Sequence, residues 1–129
     1  MKVRTTCKQV ANLTEDEIRI CKRTSYGYQG QLYYLIDDCH SEGVGIVARA
    51  RDEHGELIGW GLLYPLNTTQ YAIQLYVKRI YRRKGIGTRI VKALIKRNSS
   101  SSQCKVWGWD PRSIYFFNKI DQLDISLRG

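Results

Sequence analysis

The order of elements legible in the sequence, β-α-α-β-β-β-α-β-α-β, predicts an α/β (α+β) fold in which residues 1–129 form one domain. Three stretches carry that reading. Leu75 to Leu94, LYVKRIYRRKGIGTRIVKAL, opens as a strand at Leu75-Tyr76-Val77 and breaks in a basic, glycine-containing turn. It continues as a helix, with Ile86, Ile90, Val91, Leu94 and Ile95 at helical spacing. Val44 to Tyr64 reads as two strands around the turn signal Asp52-Glu53-His54-Gly55. Asp110-Pro111 opens a helix, with aspartate as N-cap and proline at the first position.

Taken in order, Val3, Thr5, Cys7 and Gln9 alternate with basic and polar residues, which permits a first strand. Thr14-Glu15-Asp16-Glu17 is a capping box, so a helix is expected from about Glu15 to Lys22. Gly27 and Gly30 break the chain. A second helix is expected from about Gln31 to Cys39, although Leu32 to Ile36 also suits a strand. Val44 to Arg51 and Glu56 to Tyr64 form the hairpin, which Pro65 ends. Asn67-Thr68-Thr69 turns the chain into a strand from Gln70 to Lys78, rich in Tyr, Ile and Val. A helix follows from about Gly85 to Arg97, then a polar connection at Asn98 and Ser99 to Ser102. Cys104 to Trp109 is a further strand. The helix after Asp110 carries Ser113, Ile114, Tyr115, Phe116, Phe117 and Ile120, and Leu123 to Leu127 adds a short last strand.

Composition narrows the function. At 43% hydrophobic residues the chain is expected to fold. At this length it buries roughly two-thirds of its unfolded surface and needs no staple. The first 25 residues hold no apolar run, so no signal peptide is expected, and no stretch is long and apolar enough to span a membrane. Cys7, Cys21, Cys39 and Cys104 form no C-x-x-C pair, and only His40 and His54 could join them in a metal site. We expect no metal and read the four as reduced thiols of a cytoplasmic protein, monomeric or homodimeric. The net charge of +9 suits a polyanionic ligand, an acidic partner, a nucleic acid or simply a solvated helix face.

A strand that turns directly into a helix leaves the first helical N–H groups without intrahelical partners, at the positive end of the helix dipole. Gly85 and Gly87 let backbone approach a ligand closely, and Arg82, Arg83 and Lys84 add positive charge. The stretch is an anion cradle for a phosphorylated cofactor. A G-x-G-x-x-G fingerprint is excluded because Ile90 stands at the third position after Gly87, and no Gly-Lys-Ser/Thr follows to make a Walker loop.

Arg82-x-x-Gly85-x-Gly87 after a Leu-Tyr-Val strand resembles the acetyl-CoA signature of the GNAT N-acetyltransferases, R/Q-x-x-G-x-G/A, closely over Ile73 to Leu94. The resemblance implies a mixed, mostly antiparallel sheet with helices on both faces. It implies acetyl-CoA as co-substrate, lying between the strand ending at Val77 and the one beginning near Cys104. Backbone groups of Leu75, Tyr76 and Val77 would pair with the pantetheine arm. Arg82, Arg83, Lys84, Gly85, Ile86, Gly87 and Thr88 would hold the pyrophosphate. The reaction implied is direct attack of an amine on the thioester, which calls for a base, a polarised carbonyl and an acid for the departing thiolate.

The chain departs from the family pattern at both proton-transfer positions. The strand QYAIQLYV holds no carboxylate, and Gln70 and Gln74 cannot act as bases. Glu56 is a weak candidate, and His40 and His54 fall on predicted loops. The family's closing-helix pattern N-x-x-A-x-x-x-Y begins here at Asp110, passes Ser113 and ends at Phe117, which has no proton to give. Tyr115 is the nearest phenol and is taken as the catalytic acid, although it lies about 200° around the helix from Phe117. Asp110 and Phe117 are then cofactor-side positions. Trp107 and Trp109 share one strand face and suit either core or an acceptor wall; Trp60 suits core. The resemblance leaves the acceptor open between an acidic protein, an aminoacyl-tRNA and a small molecule. The alternative is a GNAT-like module that binds CoA or nucleic acid without catalysis.

Overall fold

Thr14 starts the first helix by satisfying both ends of a reciprocal cap. Its Oγ1 accepts the Glu17 N–H at 3.1 Å, and Glu17 Oε1 accepts the Thr14 N–H at 2.9 Å. Helix α1, Glu15–Thr24, follows. The computed structural model describes residues 2–27, 32–67, 70–98, 103–108 and 124–127, with residues 70, 103–108 and 124–127 as backbone. Helix α2, Leu32–Glu42, settles the choice left open between helix and strand. It buries Leu32, Ile36 and Cys39, an i, i+4, i+7 set, whereas a strand would have buried Tyr34 beside Leu32 and Ile36; Tyr34 is 68% exposed. His40 therefore sits in the last turn of α2 rather than on a loop.

The strands are β1 Arg4–Gln9, β2 Ile46–Arg51, β3 Leu57–Pro65, β4 Gln70–Val77, β5 Gln103–Gly108 and β6 Asp124–Leu127. They lie in the spatial order β1-β2-β3-β4-β5-β6. The pairs β1–β2, β2–β3 and β3–β4 are antiparallel, and β4–β5 and β5–β6 are parallel. This is the mixed, mostly antiparallel sheet that the resemblance implied. Gly55, at φ 82°, closes the β2–β3 hairpin, and the register slips between Ala50 and Arg51.

Strand β3 is buried from Leu57 to Tyr64 because both of its faces are covered. On one face Trp60, Leu62, Tyr64 and Ala72 pack with Ile18 and Cys21 of α1 and Leu32, Ile36 and Cys39 of α2. On the other, Ile58, Leu63, Ile73 and Val77 pack with Ile86, Ile90, Val91 and Leu94 of α3, Ile86–Arg97. Alternation along the strands sorts the two sets except at the register slip, where Ile58 and Trp60, two apart, fall on opposite faces. At Gly61 the missing Cβ lets Ile90 of α3 come down onto the sheet: a methyl there would stand 2.6 Å from Ile90 Cγ2. Among the described residues no helix is long and apolar enough to cross a membrane.

Candidate functional site

Among the described residues, strands β4 and β5 pair only where they begin. The register joins Gln70 to Gln103 and Tyr71 to Cys104, and β4 then runs on to Val77 without further pairing to β5. The free groups on that edge follow from the hydrogen bonding of the opposite edge. The Lys78 N–H donates to the Ile58 carbonyl at 2.9 Å, and the register pairs Trp60 with Tyr76 and Leu62 with Gln74. Antiparallel pairs alternate between hydrogen-bonded and non-hydrogen-bonded. The backbone of Gln74 and Tyr76 therefore faces β3, and that of Ile73, Leu75 and Val77 faces the gap. Leu75 and Val77 present main-chain groups to the gap, whereas Tyr76, expected to do the same, turns its main chain to β3. The Tyr76 side chain is half-buried on the α1–α2 face.

Beyond Val77 a 3₁₀ turn, Arg79–Tyr81, leads into the glycine turn; the sequence reading had no element there. Arg82 folds back, its Nε donating to the Val77 carbonyl at 2.9 Å with its guanidinium 5.5 Å from the Tyr76 ring centroid. The same residue that adds charge thus braces the turn to the end of β4. Arg83 then takes φ 63° and Gly85 φ 79°. A left-handed conformation is ordinary for glycine and costs an arginine on the order of 1 kcal/mol or more, the kind of strain found at ligand clamps.

Gly85 is the N-cap of α3 and has no side chain with which to cap it. The Arg89 N–H makes the first turn's bond, to the Gly85 carbonyl at 3.1 Å. The N–H groups of Ile86, Gly87 and Thr88 precede it and have no partner among the described residues. No acidic residue stands in the first turn of α3. An open strand edge thus runs into a strained basic turn and an uncapped helix end. The edge suits an extended amide-bearing arm and the helix end a pyrophosphate, as coenzyme A would require.

The candidate bases fare differently. Glu56 Oε1 accepts from Lys78 Nζ at 2.8 Å in an exposed ion pair. His40 Nε2 lies 3.2 Å from the Leu13 carbonyl, so that nitrogen carries the proton and donates it there. His54 is an exposed turn residue whose N–H donates to Asp52 Oδ1. Gln74 is buried and donates from Nε2 to Tyr64 Oη at 3.1 Å. Its Oε1 has no partner among the described residues. A buried polar pair on the gap strand itself, one residue from Leu75, escaped the sequence reading, and its only signal was a glutamine at an apolar position of a central strand. Also missed was the cluster in which Glu17 takes Lys8 Nζ at 2.9 Å and Arg49 at 2.8 Å. The Thr14 N–H, then Lys8 and Arg49, hold the Glu17 carboxyl down to about 2. Trp60 is fully buried core. The side chain of Trp107, and Trp109, Asp110, Ser113, Tyr115 and Phe117 altogether, lie outside the described residues. A cavity of about 520 Å³ between α1 and α2 shares no residue with β4, the glycine turn or α3.

Comparison with curated proteins finds no match. Among solved structures, a GNAT-family acetyltransferase from Streptococcus pneumoniae TIGR4 superposes with a TM-score of 0.69 at 14% identity, covering 93% of this chain and 86% of the other. A GNAT-family enzyme from Escherichia coli, solved with CoA, gives 0.68 at 17% identity, covering 91% and 69%. A GNAT-family acetyltransferase from Brucella melitensis, solved with acetyl-CoA, gives 0.64 at 12%, covering 88% and 81%. At such identities the likeness is one of fold. The model of the acetyltransferase (GNAT) family matches residues 10–120. With most of its length inside that match, the chain belongs to the GNAT acetyltransferase family.

Proposed function

We propose that the chain is an N-acetyltransferase that moves an acetyl group from acetyl-CoA to the amine of an acceptor. The observation that carries this is the open edge of β4 opposite β5, continuing into the unclaimed N–H groups of Ile86, Gly87 and Thr88. Acetyl-CoA as co-substrate fits the family, and two of the structural neighbours were solved with acetyl-CoA or CoA. When bound it supplies the acetyl group as a thioester. Main-chain groups of Leu75 and Val77 orient it, with Tyr76 beside them. Arg82, Arg83, Lys84, Gly85 and the first turn of α3 hold its pyrophosphate. Asp110 and Phe117 belong to the cofactor side, and Tyr115 holds the proton for the departing thiolate. A Tyr115→Phe variant with unchanged kcat and stability would remove it from that role.

The test is thermal. Saturating acetyl-CoA at 100 times Kd should stabilise the fold by about 2.7 kcal/mol and raise Tm accordingly. Gly85→Glu should lose that shift while the unliganded protein still folds, because no atom stands within 4 Å of a Cβ there. Its left-handed φ adds a cost of about 1–2 kcal/mol. Undiminished binding of CoA by this variant in calorimetry would overturn the cradle. A second reading, a CoA-binding module without catalysis, is favoured by the lack of any carboxylate on β4. Thioester consumption with candidate amines separates the two.

A further inference from the structure

The charge of this protein is not spread over it. From residue 57 to residue 109 there are ten lysines and arginines and no aspartate or glutamate. The rest of the chain carries eleven basic and twelve acidic residues, so this one stretch, at +10, carries more than the whole net charge of +9. Its folded placement concentrates it further. Arg79, Arg82, Arg83 and Lys84 are exposed on the turn, and Arg89, Lys92, Lys96 and Arg97 are exposed on α3. The last three turns of α3 bury Ile90, Val91 and Leu94 against the sheet, and Arg89, Lys92 and Lys96 lie together on the opposite side, at i, i+3 and i+7.

The cofactor does not account for this stripe. At 1.5 Å per residue, Lys92 and Lys96 stand about 10 and 16 Å along the axis from the cap that would meet a pyrophosphate. Nor does the fold use them: the basic partners in the described ion pairs are Lys8, Arg19, Lys22, Arg49 and Lys78, none of them on α3. Like charges at i, i+4, such as Lys92 and Lys96, oppose helix formation by a few tenths of a kcal/mol. A protein partner would call for apolar or aromatic anchors at the centre of the patch, and lysine is depleted at such interfaces. The outward face of α3 holds none; Ala93 and Ile95 turn toward the core. A row of cations about 10 Å long without apolar centre, continuous with a basic turn, matches a phosphodiester backbone, which offers one charge per ~3.4 Å of each strand.

We propose that the outer face of α3, centred on Arg89, Lys92 and Lys96, binds the phosphate backbone of a nucleic acid without reading its sequence. This does not depend on acetyl transfer. The experiment is fluorescence anisotropy of the full chain with a labelled 20-nucleotide single-stranded RNA and a 20-base-pair DNA duplex, from 50 to 200 mM salt and with CoA at saturation. Binding should weaken with salt by about 0.7 log units per log unit of salt for each phosphate engaged on the single strand, and about 0.9 on the duplex. The preferred probe identifies the source of the backbone. Lys92→Gln/Lys96→Gln should make the slope shallower by roughly 1.4 to 1.8 and lower affinity at least tenfold at 50 mM, while leaving the CoA-induced Tm shift intact. Unchanged affinity in that variant, a flat salt dependence, or equal displacement by polyglutamate at equal charge would each overturn the proposal. The last outcome would assign the face to an acidic protein. Loss of the CoA shift in the unmutated chain would count against acetyl transfer alone.

Discussion

Replacing Gly61 by alanine tests the contact that seats α3 on the sheet. The new methyl would stand 2.6 Å from Ile90 Cγ2, 3.1 Å from Leu75 Cβ and 3.3 Å from the Gln74 carbonyl oxygen. Carbon atoms pack best at about 3.5–4 Å, so the helix must retreat by roughly 1 Å. Ile90 is fully buried and branched at Cβ, which leaves it little rotamer freedom to turn aside. Overpacking of this kind costs about 1–3 kcal/mol, and loss of glycine's freedom in the unfolded chain returns about 0.4–1. The net expectation is a loss of about 1–2 kcal/mol, or roughly 3–8 °C in Tm for a domain of this size. Ile90→Leu moves the branch off Cβ and removes the clashing atom, at a cost of under about 1.5 kcal/mol by itself. Urea denaturation followed by circular dichroism, over both single variants and the double variant, should give a favourable coupling of about 1 kcal/mol. Because α3 carries the uncapped N–H groups, Gly61→Ala should also weaken acetyl-CoA in calorimetry, and Ile90→Leu should restore part of it. Additive energies, or an alanine variant as stable as the parent, would refute the reasoning.

Two further outcomes follow from groups away from the site. Glu17 titrates at about 2 when folded against 4.5 ordinarily, so its contribution is complete above about pH 5 and lost as pH falls toward 2. Glu17→Gln keeps a cap acceptor but leaves Arg49, 9% exposed, without its anion. It should cost about 1–3 kcal/mol at pH 7 and flatten the acid limb of the stability curve, measured as denaturation midpoint against pH. Burial pushes the Cys21 thiol up to about 12 and the Cys39 thiol up to about 11. Native protein at pH 8 should therefore leave both unmodified by iodoacetamide while denatured protein reacts fully, read by mass spectrometry; rapid native labelling of either would contradict that burial.

Periodicity made the fold readable. The capping box at Thr14, the turn signal from Asp52 to Gly55 and the apolar face of α3 each depend on neighbours within a few residues, so local sequence states them. Element ends were legible to within a few residues, α1 running to Thr24 rather than Lys22. What escaped depends on tertiary placement. The 3₁₀ turn at Arg79–Tyr81 carries no turn residue and is held by the Tyr81 N–H bonding to the Lys78 carbonyl. His40 looked like loop because it follows Asp37, Asp38 and Cys39, yet α2 continues since Cys39 still has core to bury against. In the site, the glycine turn was legible because its residue types are unusual. The Arg82 brace and the Gln74–Tyr64 pair were not, since a side chain's partner across strands is invisible to spacing.

The strand edge and the helix end owe their positions to the same packing. Leu75 and Val77, whose main chain faces the gap, stand opposite Gly61 and Gly59 on β3. These are the non-hydrogen-bonded pairs, where facing side chains come closest. With glycine at both, no Cβ from β3 competes for that space: one at Gly59 would meet Val77 Cγ2 at 3.3 Å, as one at Gly61 would meet Leu75 and Ile90. Leu75 and Val77 therefore lie against α3, and Arg82 ties the Val77 carbonyl to the turn that starts it. A shift of α3 must then move the gap edge and the N–H cradle together. The open strand edge and the first N–H groups of α3 are thus held in fixed relation by a pair of missing side chains on a strand that carries neither.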